Sequence, residues 1–403
     1  YELTPGLFQG LTDLTSLDFT DHNSMEIKPN AFRGLNSLKN LRLGRNHLRS
    51  VTDGNIWNGL NSLVQLDLSS NEIEEIGDEV FSQLQTLKFL DLGNNSMESF
   101  TQAKLAGLNK LEHLSLQRNP LQFIPKSALR ALPQLLILEL QHSDIKMIKL
   151  DDFQNVPNLN GLNLDYNDLN EMPIEALSIL SNLKSLLMRG VKTTTLQKDA
   201  FKNLGNLTEL IMSHGEWSEI HAEAFNGLVK LQKLDISYNK LEYLPSKVFD
   251  MITVSDKTVI NLSHNPWMCD CHFGDFAHWS LYYYSNATLH NVFKDLICET
   301  PPQLEGYYIW NVPADNFTCP PPRPKPAMSQ MEIDVIIGSI VGCVLVVTVL
   351  AIAGTKYYKR RRTKVRRQRQ RSVNLVVWDD NSEEQDQGMN NHDNRSTTSV
   401  ISL

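Results

Sequence analysis

The chain has 403 residues, of which 41% are hydrophobic and 21% charged, and a formal net charge of −8. The charge is uneven, because residues 356–403 carry +5 and residues 1–355 therefore carry −13. A large acidic segment repels nucleic acid and heparin at long range, which argues against either as the main partner. The chain opens on Tyr1 without a signal-peptide pattern, so we expect further residues in front of it.

A repeat with a period of 24 residues runs through residues 1–264. Its pattern is L-x-x-L-x-L-x-x-N-x-L, and a regular spacing over about ten copies is the signature of a stacked repeat fold. The chain opens in the middle of the first copy. Further copies begin at Leu38, Leu63, Leu87, Leu111, Leu135, Leu159, Leu183, Leu207 and Leu231, with a degenerate last copy around Ile260, Leu262 and Asn265.

Each position of the repeat has a physical role. The leucines point inward from a short strand, so that neighbouring coils share one apolar core. The asparagine satisfies backbone groups that would otherwise be buried without partners. A second apolar pair, such as Phe32 with Leu35 or Phe81 with Leu84, forms the bulkier outer wall. The pattern therefore predicts a curved α/β solenoid with a parallel sheet on its concave side.

The asparagine position departs from the pattern in the middle of the array, where it holds Ser143, Val191 and Gly215. Two interpretations remain open. One is ordinary sequence drift in a tolerant repeat, and the other is a coil locally distorted to fit a partner.

Two columns of residues on the predicted concave face suggest a binding surface. Side chains alternate across a strand, so the residues between the inward leucines face the concave side and align from coil to coil. Exposed apolar and aromatic groups with a polar rim often mark an interface. The alternative is that the apolar members compensate for a loosened core. The predicted ligand-contact residues are His142, Tyr166, Leu187, Ile211, His214 and Tyr238.

A cysteine cluster follows the last repeat in residues 265–319. It contains Cys269, Cys271, Cys298 and Cys319, and four cysteines allow three disulfide connectivities. A zinc site that includes His272 is the weaker alternative, because a Cys-x-Cys pair does not have the usual zinc-ligand spacing.

Together the repeat, its second-half phenylalanines and the cysteine cluster resemble the extracellular leucine-rich-repeat family over residues 1–319. The cysteine cluster resembles the C-terminal cap of that family, most closely in Toll-like receptors. The resemblance implies that Cys269 pairs with Cys298 and Cys271 with Cys319, and that the ectodomain binds a ligand. The chain departs from the family in having no cysteine-bearing N-terminal cap before its first repeat.

The segments after the cap predict a single-pass type I membrane protein. Residues 320–334 read as a proline-rich stalk, and the uncharged residues 335–355 are long enough to cross a bilayer. The basic residues that follow place the C-terminus in the cytoplasm. Gly338 and Gly342 form a G-x-x-x-G pair that favours helix dimerisation. Sequons for glycosylation stand upstream at Asn94, Asn206, Asn261, Asn286 and Asn316.

The tail, residues 356–403, is rich in polar residues and is expected to be largely disordered. It is too short for the signalling domain that Toll-like receptors carry, and its last three residues, 401–403, resemble a weak PDZ-binding end. No catalytic or cofactor motif is present, so we expect no enzyme and no cofactor. Two functions remain: a plasma-membrane receptor or co-receptor for a protein or glycan ligand, and a cell-adhesion protein.

Overall fold

The computed structural model describes residues 2–23, 26–253, 255, 257–283, 293–317 and 350–367. The chain divides into two compact units, Tyr1–Pro321 and Pro322–Leu403. In the second unit residues 350–367 are helical, so this helix continues past the predicted end of the membrane segment.

Several predicted features of the second unit lie outside the described residues. They are the stalk, the membrane segment up to residue 349 with Gly338 and Gly342, and the tail beyond residue 367. Among the residues that are described, no helix is both long and apolar enough to span a membrane.

Each coil of the first unit contributes one short strand, and many coils add a second strand on the opposite side. The strands in chain order are β1 (Glu2–Leu3), β2 (Ser16–Asp18), β3 (Glu26–Ile27), β4 (Asn40–Arg42), β5 (Ser50–Val51), β6 (Gln65–Asp67), β7 (Glu75–Ile76), β8 (Phe89–Asp91), β9 (His113–Ser115), β10 (Ile137–Glu139), β11 (Gly161–Asn163), β12 (Ser185–Leu187), β13 (Thr195–Leu196), β14 (Glu209–Ile211), β15 (Glu219–Ile220), β16 (Lys233–Asp235), β17 (Val259–Asn261) and β18 (Phe293–Lys294).

Helices are few and short. The described helices of the first unit are α1 (Lys126–Leu129), α2 (Ile174–Leu177) and α3 (Cys271–Tyr283), with 3-10 turns at Gly54–Trp57, Ala103–Leu105, Ile309–Asn311 and Ala314–Asn316.

Twelve strands form one parallel sheet in the order β2, β4, β6, β8, β9, β10, β11, β12, β14, β16, β17, β18. The central residue of each repeat strand is the second leucine of the pattern or its equivalent, and adjacent leucines pair in register, as Leu162 does with Leu186. These leucines are buried from Leu41 onward. The 24-residue period thus sets the register of the sheet, as predicted.

The outer wall explains why the stack curves. Large apolar side chains stack from coil to coil with ring centroids 6.0 Å apart for Phe8 and Phe32, and 6.2 Å apart for Phe201 and Phe225. Parallel strands lie only about 4.8 Å apart. Since the wall is more widely spaced than the sheet, the coils fan out and the sheet lies on the concave side.

The asparagines form a hydrogen-bonded ladder between coils. The side-chain amide of Asn71 donates to the carbonyl oxygens of Leu43 at 3.1 Å and Leu68 at 2.9 Å, and its oxygen accepts from the Leu48 N–H at 3.2 Å. One side chain therefore satisfies backbone groups in two successive coils, as the repeat predicts.

Packing accounts for the absence of asparagine at position 215. A Cβ atom there would lie 2.9 Å from Asn239 Oδ1, 3.0 Å from the Val191 carbonyl oxygen and 3.2 Å from Trp217 Cδ1. The Trp217 side chain is 1% exposed, at a position where most other repeats have leucine, isoleucine or methionine. The strand register continues across the gap from Leu186 to Leu210. Space for the tryptophan, without distortion of the sheet, explains this break in the ladder.

The residues after the last repeat close the apolar end of the stack. Cys269 and Cys298 form a disulfide, which confirms that predicted pair. Strand β18 adds to the large sheet beside β17, and the Phe293 ring lies 5.5 Å from that of Phe249. Cys271 is also disulfide-bonded, but its predicted partner Cys319 lies outside the described residues.

Candidate ligand-binding surface

The residue that precedes the ladder position has a left-handed backbone conformation in every coil. Its φ is +54° at His142, +53° at Tyr166, +72° at Gly190, +58° at His214 and +54° at Tyr238. Only glycine adopts this region without a steric cost, so the tight turn into the ladder imposes it on the other side chains. The turn places these residues in line along one edge of the concave sheet.

The side chains along this edge form ring stacks. The His142 and Tyr166 ring centroids are 4.8 Å apart, and those of His214 and Tyr238 are 4.4 Å apart. The stack continues to His264, whose ring centroid is 4.0 Å from that of Tyr238. We call these five residues the ring column. Tyr166 and Tyr238 are 44% and 47% exposed, so both keep a large accessible surface.

Gly190 interrupts the ring column after its first pair. A Cβ atom at position 190 would lie 2.8 Å from Cδ1 of Tyr166, so the Tyr166 ring covers the space that a side chain would take. Below this point Arg189 makes a short ion pair with Asp165, which is 5% exposed. The pair fixes the floor of the surface beside Tyr166.

Two predicted contact residues are less accessible than the sequence suggested. Ile211 is 1% exposed and therefore does not present a surface to a ligand, which corrects the prediction. Ile211 lies in the sheet between Leu187 and Asp235. Its side chain is buried although it is on the concave face of the sheet and not on the face of the leucine core. Leu187 is half-buried. The structure thus favours a packing role for Ile211 and leaves the four ring residues as the exposed members of the set.

The sequence prediction missed His264. The last strand spacing is 26 residues rather than 24, since Lys233 pairs with Val259, and this hid the alignment. The signal was nevertheless present, because His264 immediately precedes the ladder residue Asn265, whose amide donates to the Leu262 and Ile236 carbonyl oxygens.

Acidic residues occupy the sheet floor nearer the N-terminus. Asp91, Ser115 and Glu139 are adjacent in register on β8, β9 and β10. Glu139 Oε1 lies 3.5 Å from His113 Nε2. Hydrogen bonding to His113 lowers the pKa of Glu139 despite partial burial. Burial, reinforced by repulsion from Asp67 and Glu139, raises the pKa of Asp91.

The described sequons differ in exposure. Asn94 and Asn316 are exposed, whereas Asn206 and Asn261 are half-buried. Asn94 lies at the same edge as the ring column, two coils before His142. Asn286 lies outside the described residues.

A metal site in the cap is disfavoured. The ligand atoms of Asp270, Cys271 and His272 lie within 4.8 Å of one another. Cys271 and Cys269 are both disulfide-bonded, and a disulfide sulfur is not the thiolate that zinc requires.

The fold and this surface define a class of protein: a parallel solenoid with an accessible concave side. The family model "Leucine rich repeat" matches residues 1–48, 61–121, 110–169 and 181–241, which together exceed half of the chain. The chain belongs to the leucine-rich-repeat family. Among curated protein sequences, none matches it.

Solved structures with the same fold include a chain in the octameric complex of Latrophilin 3, Unc5D and the leucine-rich-repeat protein FLRT2. It is 24% identical with a TM-score of 0.62, and the match covers 76% of this chain and 91% of that one. A chain of the mouse RP105/MD-1 complex is 23% identical with a TM-score of 0.57, covering 76% and 57%. A chain of the Drosophila Toll–Spatzle complex is 20% identical with a TM-score of 0.52, covering 78% and 56%. This chain therefore spans little more than half of the latter two.

Proposed function

We propose that the protein is a cell-surface receptor or co-receptor that binds a protein ligand on its concave side, with the ring column as the main contact. The observation that best supports this proposal is that Tyr166 and Tyr238 are half-exposed and stack against histidine rings. Stacking restricts the motion of the rings before binding, so less side-chain entropy is lost on complex formation. Tyrosines presented in this way are favoured binding anchors.

The choice of a protein over a glycan ligand is supported by the solved structures of the same fold, which are complexes with protein partners. The membrane segment 335–355, dimerisation through Gly338 and Gly342, glycosylation at the five sequons and a PDZ contact at 401–403 belong to the same proposal. They place the solenoid outside the cell and leave signalling to partner proteins.

Cell adhesion is the second candidate. An acidic ectodomain with an exposed aromatic column suits a surface molecule on another cell as well as a soluble ligand. The experiment that separates the two displays the full chain on cells and measures both cell clustering and capture of soluble secreted proteins. Capture of a soluble protein supports the receptor, clustering alone supports adhesion, and the absence of both contradicts the proposed function.

A further inference from the structure

The floor of the concave sheet contains a charge arrangement that the ring column does not use. Asp91 and Glu139 flank Ser115 on adjacent parallel strands, and their Cα positions are therefore about 10 Å apart. All three occupy the last position of their strands and point to the same face. No lysine or arginine among the described residues forms an ion pair with Asp67, Asp91 or Glu139.

Two buried oxygen atoms at this place have no hydrogen bond of normal geometry among the described residues. They are the Ser115 Oγ and the Gln141 Oε1, whereas the His113 Nε2 lies 3.5 Å from Glu139 Oε1. Ser115 is 1% exposed. A buried hydroxyl or amide oxygen without a partner destabilises the fold, so the cluster contains acceptors that a ligand with N–H donors would satisfy.

The carboxylates themselves are in an unfavourable setting. Asp91 is partly buried beside other acids. Its Oδ1 accepts a hydrogen bond from the Gly93 N–H at 2.8 Å, and this bond and the nearby Ser115 hydroxyl offset only part of the rise in its pKa. A cation placed between Asp91 and Glu139 would relieve the repulsion and the loss of solvation together.

We propose that Asp91, Ser115 and Glu139 bind a cationic side chain, above all an arginine, that the protein partner presents to the concave floor. This rests on the proposed function and specifies the chemistry of its partner. A guanidinium group offers five N–H donors in a planar fork, enough for two carboxylates and the hydroxyl at once. The charge of −13 on residues 1–355 attracts a basic partner at long range.

A bare metal ion fits this place less well. Among the described residues, Asp270, Cys271 and His272 are the one group whose metal-ligand atoms all lie within 4.8 Å of one another. Asp91, Glu139 and the neighbouring His113 therefore do not form a three-ligand group for one ion, whereas a planar guanidinium group can reach acceptors that lie further apart.

The test measures binding of a fluorescent Gly/Ser peptide that contains arginines to the purified full chain, at low and at physiological salt. The matched peptide has citrulline in place of arginine, which keeps the shape and removes the charge. Asp91→Asn and Glu139→Gln should each weaken arginine-peptide binding by about fivefold or more. The control Asp235→Asn removes an acid from the same column and should change binding less than about twofold, since position 235 lies four coils away from Glu139.

Stability gives a second readout. Asp91→Asn should raise Tm by about 1–2 °C at neutral pH and at the same time weaken peptide binding. Tm should rise because the native carboxylate is desolvated and is repelled by the neighbouring acids. If Asp91 had only a structural role, Asp91→Asn would lower both Tm and peptide binding.

Three results would overturn the proposal: equal binding of the arginine and citrulline peptides, no binding of either, or equal losses in Asp91→Asn and Asp235→Asn. The peptide assay does not use the natural partner. If the peptide fails and the displayed chain still captures a protein through its tyrosines, the cationic site is lost and the proposed function stands. If the peptide binds as expected and the displayed chain captures no partner, the cationic site stands and the proposed function is contradicted.

Discussion

Asp91 and Glu139 occupy equivalent positions two strands apart, yet their carboxyl groups have opposite pKa shifts. Glu139 has an imidazole beside it and a lowered pKa, with hydrogen bonding to His113 as the first cause. Asp91 has acids beside it and a raised pKa, with burial as the first cause. The repeat supplies the same backbone to both, so the difference comes from the side chains of adjacent coils.

Opposite shifts predict opposite effects of neutralisation. The lowered pKa of Glu139 means that its carboxylate stabilises the fold above the ordinary glutamate pKa and loses this contribution as the pH falls through the folded value. Glu139→Gln should therefore reduce the free energy of unfolding at neutral pH by about 0.5–1 kcal/mol. The difference should shrink at acidic pH, as the pH falls below the ordinary glutamate pKa of about 4.3. Asp91→Asn should stabilise at neutral pH, because a raised pKa favours the folded state only when the group is protonated.

Urea denaturation of each variant beside the wild-type chain, at neutral and at acidic pH, measures these differences. Loss of stability in both variants at neutral pH would contradict the assigned environments.

Gly215 offers a second test at the residue scale. Gly215→Ala places a methyl group where the Cβ would be 2.9 Å from Asn239 Oδ1 and 3.0 Å from a backbone oxygen. We expect a loss of about 1–3 kcal/mol from overpacking. Gly205→Ala is the matched control, since its nearest contact would be 3.7 Å. Thermal denaturation of the two variants compares them, and equal melting temperatures would show that Trp217 does not fix the gap in the ladder.

The cap is the element whose stability is most local. The Cys269 N–H donates to the Thr300 carbonyl oxygen at 2.7 Å, and the Glu299 N–H donates to that of Trp267 at 2.9 Å. These bonds and the disulfide hold the cap together, and the Met268 N–H, which donates to the Glu242 carbonyl oxygen at 2.9 Å, joins it to the last repeats. Repeat arrays transmit stability mainly between neighbours.

Mild reduction of the cap should therefore loosen the last coils first. Hydrogen exchange should become faster in β16 and β17 while β4 keeps its protection. A chain with Cys269→Ser and Cys298→Ser gives the same comparison without reductant. Equal acceleration at the copies that begin at Leu38 and Leu231 would show that the cap does more than cover its own end.

At the scale of elements, the period predicted the parallel sheet, its register and the asparagine ladder. The resemblance to the family, and not the period, predicted the first disulfide. The burial of Ile211 was not predictable from one coil, because its neighbours in the sheet, Leu187 and Asp235, belong to adjacent strands. His264 was missed because the spacing between the last two repeat strands is irregular. The role of Gly215 depends on Trp217, which the repeat pattern treats as an ordinary apolar position.

On the scale of the whole molecule, the two faces of the solenoid have different chemistry. The convex wall is a buried stack of large apolar rings, whereas the concave side has acids on its floor toward the N-terminus and the ring column along its edge toward the C-terminus. A partner that contacts both regions meets cation-binding groups first and aromatic anchors further along the arc. This division favours a protein ligand with a basic segment next to an apolar one.

The most direct test of the central claim compares partner binding by the displayed full chain with binding by its tyrosine variants. Tyr166→Ala and Tyr238→Ala should each weaken capture by about 1–3 kcal/mol, or roughly 5- to 150-fold, with surface expression and thermal stability preserved. Tyr307→Ala is the matched control, because Tyr307 is 53% exposed but lies in the cap. Unchanged binding in the folded double variant of Tyr166 and Tyr238, or an equal loss in Tyr307→Ala, would contradict a binding surface on the ring column.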